Sequence, residues 1–271
     1  MAEPSEPASV DLRADCSRCS GLCCVAPAFR RSADFAIDKP AGVACLHLAD
    51  DHRCTIHDRL APSGFPGCVA FDCFGAGQRL TQQTFGGRDR RTDPGVAAPI
   101  LAAFPVLRGL HELLWYLREA LTWTVPPAVR RDLQALLHLV EAAAASAAPE
   151  LIATDVAVLQ GRAAGLLRAA SAAVRSGLGG PDLAGADLAG ADLRGRELSG
   201  GCLRGALLIG ADLRGVDLGL VDLRGADVRA ARLDGARLAG ALCVTRTQLG
   251  SAHGNTTTTV PPALERPAHW G

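Results

Sequence analysis

Between residues 181 and 245 an apolar position returns every five residues, with no insertion or deletion. The units read PDLAG, ADLAG, ADLRG, RELSG, GCLRG, ALLIG, ADLRG, VDLGL, VDLRG, ADVRA, ARLDG, ARLAG and ALCVT. The third position is Leu throughout, except for Val228 and Cys243. A short fixed period describes one small unit stacked on copies of itself. The third side chain must point inward in each unit. The residue two before it is Ala, Val, Pro or Gly in every unit but the fourth, so it also faces a cramped interior. The positions flanking Leu are mostly Asp, Arg, Ala or Ser and are expected to face water. Gly at the fifth position allows a tight corner without a Cβ.

Upstream, the apolar period changes from five to that of a helix. Leu107, Leu110, Leu114, Leu117 and Leu121 form one helical stripe, ended by Pro126-Pro127. Val129, Leu133, Leu136, Leu137 and Val140 form a second. Val156, Leu159, Ala163, Leu166, Leu167 and Val174 form a third, opened by Pro149. Short loops predict an antiparallel three-helix stack over 98–177. Trp115, Tyr116 and Trp123 are expected to pack between helices, and His111 and His138 to be partly exposed.

The A-D-L-x-G units resemble the pentapeptide-repeat family. That resemblance implies a right-handed quadrilateral β-helix over 181–250, with four units per coil. Residues twenty apart would then stack at roughly the 4.8 Å interstrand spacing. Leu183, Leu203, Leu223 and Cys243 would form one internal ladder, and Leu193, Leu213 and Leu233 another. Asp192 would lie under Asp212 and Arg194 under Arg214, in mixed ion-pair rows. Arg196 occupies an inward position, which requires escape or a distorted corner. Cys243 is expected inside and Cys202 outside. The third helix is expected to cap the start of the array, and residues 251–271, a capping tail anchored by Trp270, to close its end. Some members of this family mimic DNA and bind DNA gyrase. They use long acidic rods, whereas residues 181–250 hold eight Asp and one Glu against nine Arg. A topoisomerase-binding module is the third functional reading.

The net charge of this 271-residue chain is zero, so nothing draws it to nucleic acid or anionic membrane. No stretch reaches the roughly 20 apolar residues of a membrane span, so no membrane partner is expected. The acidic, polar N-terminus lacks the pattern of a signal peptide. Cytoplasm, where thiols stay reduced, is the expected compartment. Residues 1–15 read as a disordered tail and 81–97 as a polar linker.

Eight of the ten cysteines fall between Cys16 and Cys73. In a reducing compartment such crowding points to metal ligation. Cys16-x-x-Cys19-x-x-x-Cys23-Cys24 places four thiols within nine residues, and Cys45, Cys54, Cys68 and Cys73 follow. Two-residue spacing lets both sulfurs of a turn reach one ion. The segment 16–80 shows no sustained helical period and is expected to take its order from a bound inorganic centre rather than a large apolar core. The arrangement C-x2-C-x3-C-C, then C-x-H, then C-T-I-H-D-R, then Pro and Cys resembles the YkgJ-type zinc- or iron-chelating family. Carried over residue by residue, Cys16, Cys19, Cys23, Cys24, Cys45, Cys54 and Cys68 match its ligands. The family's Arg-Pro is here Arg59-Leu60-Ala61-Pro62, so Cys73 is a substitute for Cys68. Among His47, His52 and His57, motif position favours His57 as a further ligand. Relatives in that family include flagellin lysine methylases that carry an iron–sulfur cluster.

Taken together, these readings describe a mixed, multidomain chain: a Cys-rich module stabilised by zinc or iron, a three-helix segment and a repeat solenoid. No acid–base constellation is evident, so the leading expectation is a non-catalytic metal-binding protein whose solenoid face engages a protein partner. A homodimer through the C-terminal end is a further option. The rival is an iron–sulfur protein performing redox or group-transfer chemistry.

Overall fold

The computed structural model describes residues 10–271. The expected tail over 1–9 lies outside the described residues. Residues 10–15, expected to be disordered, are docked. Leu12 is buried, the Arg118 guanidinium donates to the Val10 carbonyl at 2.6 Å, and the Gln78 amide donates to that of Arg13 at 2.7 Å.

The helical region has one dominant element, α3 (Pro94–Thr122), which begins within the expected linker. Asp93 caps it by accepting from the Gly95 N–H, and Pro94 needs no intrahelical donor at that position. The linker reading fails also at its start. Helix α2 (Ala76–Arg79) runs into a π-helical turn (Leu80–Thr84), where Leu80 and Thr81 are buried. Helices α4 (Pro127–Ala145), α5 (Ala148–Ile152) and α6 (Val156–Val174) complete the stack, the expected third helix being split in two. Leu107, Leu110, Leu114 and Leu117 of α3 are fully buried against Leu133, Leu136 and Val140 of α4 and Ala163 and Leu167 of α6. His111 departs from expectation. It faces this core, fully buried, with Nδ1 2.7 Å from the Phe74 carbonyl oxygen. Contrary to the expectation that no stretch is apolar enough to span a membrane, α3 passes that test by length and composition. Its apolar stripe is instead spent on the neighbouring helices.

The Cys-rich segment is not without apolar support. Leu22, Leu80 and Phe85 join the helical core, and Phe29, Ile56 and Phe65 cluster with Cys45. The short helix α1 (Pro66–Ala70) packs on α7 (Arg246–Ser251), tying this segment to the end of the repeats.

No extended strand forms in the repeat array among the described residues. Isolated parallel bridges join residues twenty apart, as in Asp182↔Cys202↔Asp222↔Leu242 and Asp192↔Asp212↔Arg232. Each unit also closes on itself, the Ala206 N–H donating to the Leu203 carbonyl, for example. Asp suits the second position because its carboxylate accepts the N–H two residues on, as Asp182 does from Ala184 and Asp212 from Arg214. In the units before Gly240 the fifth residue sits at positive φ, 66° at Gly205 and 69° at Gly225, which explains the recurrent glycine. Leu220 and Ala230 take the same conformation without that freedom, at 54° and 55°.

Two features of the array differ from expectation. Cys202 is buried rather than outward, as are Asp222 and Leu242 above it. This face is covered by α6, whose Ser171 hydroxyl donates to the Asp222 carboxylate at 2.7 Å. Helix α6 therefore lies along the flank of the array and does not cap its start, and Leu183 and Leu188 of the first two units remain only partly buried. The far end is covered by the residues that follow α7. Residues 253–259 add a further layer through Arg232↔His253 and Arg237↔Thr259. Trp270 is 2% exposed, and its indole N–H donates to the Ala252 carbonyl at 3.0 Å. Arg196 turns out to solvent, and no bridge forms at Glu197 beside it.

Candidate metal centre

The eight cysteines of the N-terminal segment fall into two groups. Cys16, Cys19, Cys23 and Cys73 line one crevice with Asp15, Gly77, Gln78 and Phe104. It encloses about 20 Å³, room for one water-sized occupant. A 3₁₀ turn, Cys16–Arg18, capped by the Asp15 carboxylate, presents Cys16 and Cys19. A second, Leu22–Cys24, presents Cys23. Cys73 comes from the loop before α2. Gly77 is what lets α2 approach. A Cβ there would lie 2.6 Å from the Cys19 sulfur and 3.8 Å from that of Cys73.

Cys24, Cys45, Cys54 and Cys68 form the other group, packed around Phe29, Ile56 and Phe65. The Cys23-Cys24 pair sends one sulfur to each group, the two atoms standing 4.0 Å apart. Backbone pairing holds the separate segments together: the Cys45 N–H donates to the Cys24 carbonyl at 2.9 Å, and Leu48 and Cys54 form an antiparallel bridge.

Burial raises most of these thiols. It pushes Cys73 up to about 11 and Cys68 up to about 12. Cys16 and Cys19 are raised for the same reason. At Cys19 the N–H groups of Leu22 and Gly21 pull the other way by favouring the thiolate, as those of Gly77 and Gly75 do at Cys73. Cys24 is lowered, first by the hydrogen bond from Cys23 and then by the charges of Lys39 and Arg90. All ten cysteines are free thiols. As the side chains stand, no three His, Cys, Asp or Glu groups among the described residues converge closely enough to hold an ion.

The histidines join neither group. His57 is exposed on the turn His57–Arg59. His47 packs edge-on against Phe65, ring centres 5.2 Å apart. The Nε2 of His52 stands 2.9 Å from the Arg91 guanidinium and 3.4 Å from the Asp89 carboxylate. Sequence reasoning missed Lys39, Arg90 and Gly77. The first carried a signal: it is the chain's single lysine. A cavity of about 660 Å³ lies between α3 and the end of the array and is lined by none of the cysteines.

Comparison with known proteins bears on the other half of the chain. A family model described as pentapeptide repeats matches residues 178–208 and 202–240. The C-terminal region carries pentapeptide repeats. A relative from Bacillus subtilis (strain 168), described as "Uncharacterized protein YybG", is 44% identical over 131 residues. The match covers 48% of this chain and 47% of YybG, so the chain spans about half the length of that relative.

Proposed function

We propose that this chain is a non-catalytic, cytoplasmic metal-binding protein that takes zinc or iron through its N-terminal cysteines and offers the pentapeptide array as a protein-binding scaffold. The observation that carries this reading is the Cys16/Cys19/Cys23/Cys73 crevice. Four sulfurs from separated segments line a space for one small occupant, and backbone N–H groups favour the thiolates of Cys19 and Cys73. Those thiolates would hold the ion. Ligation would displace the thiol protons and draw the sulfurs inward, so that metal affinity becomes folding free energy for this segment. The resemblance to YkgJ-type chelating proteins points the same way.

The array is read as a right-handed, four-sided coil, supported by the twenty-residue spacing of its bridges. Its scaffold role is supported by two large apolar side chains left outward, Leu207 at 42% and Ile209 at 36% exposed.

The test is anaerobic purification with elemental analysis, followed by hydrogen exchange before and after chelation. Bound zinc or iron is expected, with amide protection over 16–80 lost on chelation. Gly77→Ala should lower metal content, because the new Cβ occupies the space of the Cys19 sulfur. Protein that purifies without metal, and whose protection over 16–80 ignores the chelator, would defeat the reading. A coloured iron protein with a paramagnetic signal on reduction would replace it with the iron–sulfur alternative.

A further inference from the structure

Most arginines of the array are neutralised by its own aspartates. An Arg at the fourth position of a unit pairs with the Asp two residues before it: Arg194 with Asp192 at 2.7 Å, Arg214 with Asp212 at 2.6 Å and Arg229 with Asp227 at 2.7 Å. Arg232 and Arg237 reach Asp212 and Asp217. Arg196, unpaired, is exposed. Arg204 and Arg224 are only partly exposed, yet neither forms an ion pair among the described residues.

At Arg204 the cause is in the sequence. Its unit reads GCLRG, so Cys202 stands where the Asp would be, and the guanidinium meets that sulfur at 3.6 Å. At Arg224 the Asp is present but engaged elsewhere. Asp222 is buried under α6, one oxygen accepting the Ser171 hydroxyl at 2.7 Å and the other the Arg224 backbone N–H at 3.0 Å. The Nε of Arg224 is left buried without a partner, which costs the hydrogen bond it would make in water.

The two arginines are neighbours across the array. Cys202 and Asp222 are bridged, and the Gly205 N–H donates to the Arg224 carbonyl at 3.0 Å. Arg204 therefore lies beside Arg224 at about the 4.8 Å interstrand spacing. Both line one cleft of about 430 Å³, walled by Leu113 and Tyr116 of α3 and Leu167 of α6. Apolar walls with a few convergent polar groups, in a space of this size, describe a small-molecule site. The carboxylate that lines the cleft, Glu112, is held by Arg108 at 3.5 Å. A guanidinium presents parallel N–H donors that match the oxygens of a phosphate or a carboxylate. Two side by side suit a doubly charged group better than a singly charged one.

We propose that the cleft between α3, α6 and the array binds a phosphate-bearing small molecule, with the phosphate on Arg204 and Arg224 and an apolar or aromatic body against Tyr116 and Leu167. This goes beyond metal binding and scaffolding and depends on neither.

The test is titration of the full chain, at low ionic strength where charge is least screened, with phenyl phosphate, inorganic phosphate and benzoate. Phenyl phosphate is expected to bind more tightly than either of the others. Arg204→Gln and Arg224→Gln should each weaken it about tenfold, the scale of a lost charge-assisted hydrogen bond. Arg194→Gln, outside the cleft, should leave it unchanged. Cys202→Asp gives Arg204 the partner that the repeat pattern assigns, and should weaken binding with both arginines in place. Arg204→Gln decides the matter if that variant does not fold. Absence of saturable phenyl phosphate binding, or unchanged affinity in both Arg204→Gln and Arg224→Gln, overturns the proposal. Benzoate binding as tightly as phenyl phosphate overturns the assignment of phosphate.

Discussion

Single side chains decide how the array and the helices are joined. Glu119 of α3 reaches across to the array, where one carboxylate oxygen accepts the Cys243 N–H at 2.8 Å. The other oxygen is buried without a partner. Burial pushes this carboxyl up to about 7 from 4.5, the nearby Asp222 carboxylate adding to the rise and the Cys243 N–H opposing it. A raised acid pKa favours the native state at low pH. The benefit is complete below the unfolded value of 4.5 and is lost as pH rises through about 7. Above that, the buried charge costs up to about 3 kcal/mol, since each tenfold change in proton affinity is worth roughly 1.4 kcal/mol. Glu119→Gln keeps an acceptor for Cys243 and removes the charge. Urea unfolding should show the variant more stable than the parent at about pH 8, with the difference shrinking towards about pH 5. An equal difference at both pH values would show that the fold does not raise the Glu119 carboxyl above its unfolded value. The reach across to Cys243 spans 124 positions of sequence, so nothing in the local pattern around Glu119 marks it.

Among the elements, the array tests its own rules. Its apolar positions were legible because a five-residue period leaves each third side chain one place to go. Leu203, Leu208, Leu213 and Leu218 are buried accordingly. The ion-pair rows were legible too. Arg214 pairs with Asp212 at 2.6 Å, and Arg194 bridges the stacked Asp192 and Asp212. Arg196 is the exception that the pattern itself flags. A guanidinium cannot enter a position built for Ala or Val, so it turns out and the bridge at the next residue is lost. Arg196→Ala should restore that bridge and raise stability by about 1 kcal/mol, the net worth of a backbone hydrogen bond. The midpoint of urea unfolding is the measurement, and a lower midpoint would mean that Arg196 holds the corner in some other way.

Across the whole molecule, the last layer holds the array closed. Trp270 fills the space beside Gly254, where a Cβ would lie 2.6 Å from its ring. Trp270→Ala should cost about 3–5 kcal/mol, as large aromatic truncations in a core do. Hydrogen exchange should then rise over 253–259 and at Arg232 and Arg237, which are bridged to it. A loss confined to the last few residues would mean that the array closes without its tail. The repeat period, the inward leucines and the helical stripes were determined by the sequence alone, because each follows from the spacing of apolar residues along a locally regular chain. The sorting of eight thiols into two groups, the burial of Lys39 beside one of them, and the burial of Cys202 and Asp222 under α6 were decided only by tertiary structure. Each depends on segments far apart in sequence meeting in space, and there burial and neighbouring charge, not spacing, set what a residue does.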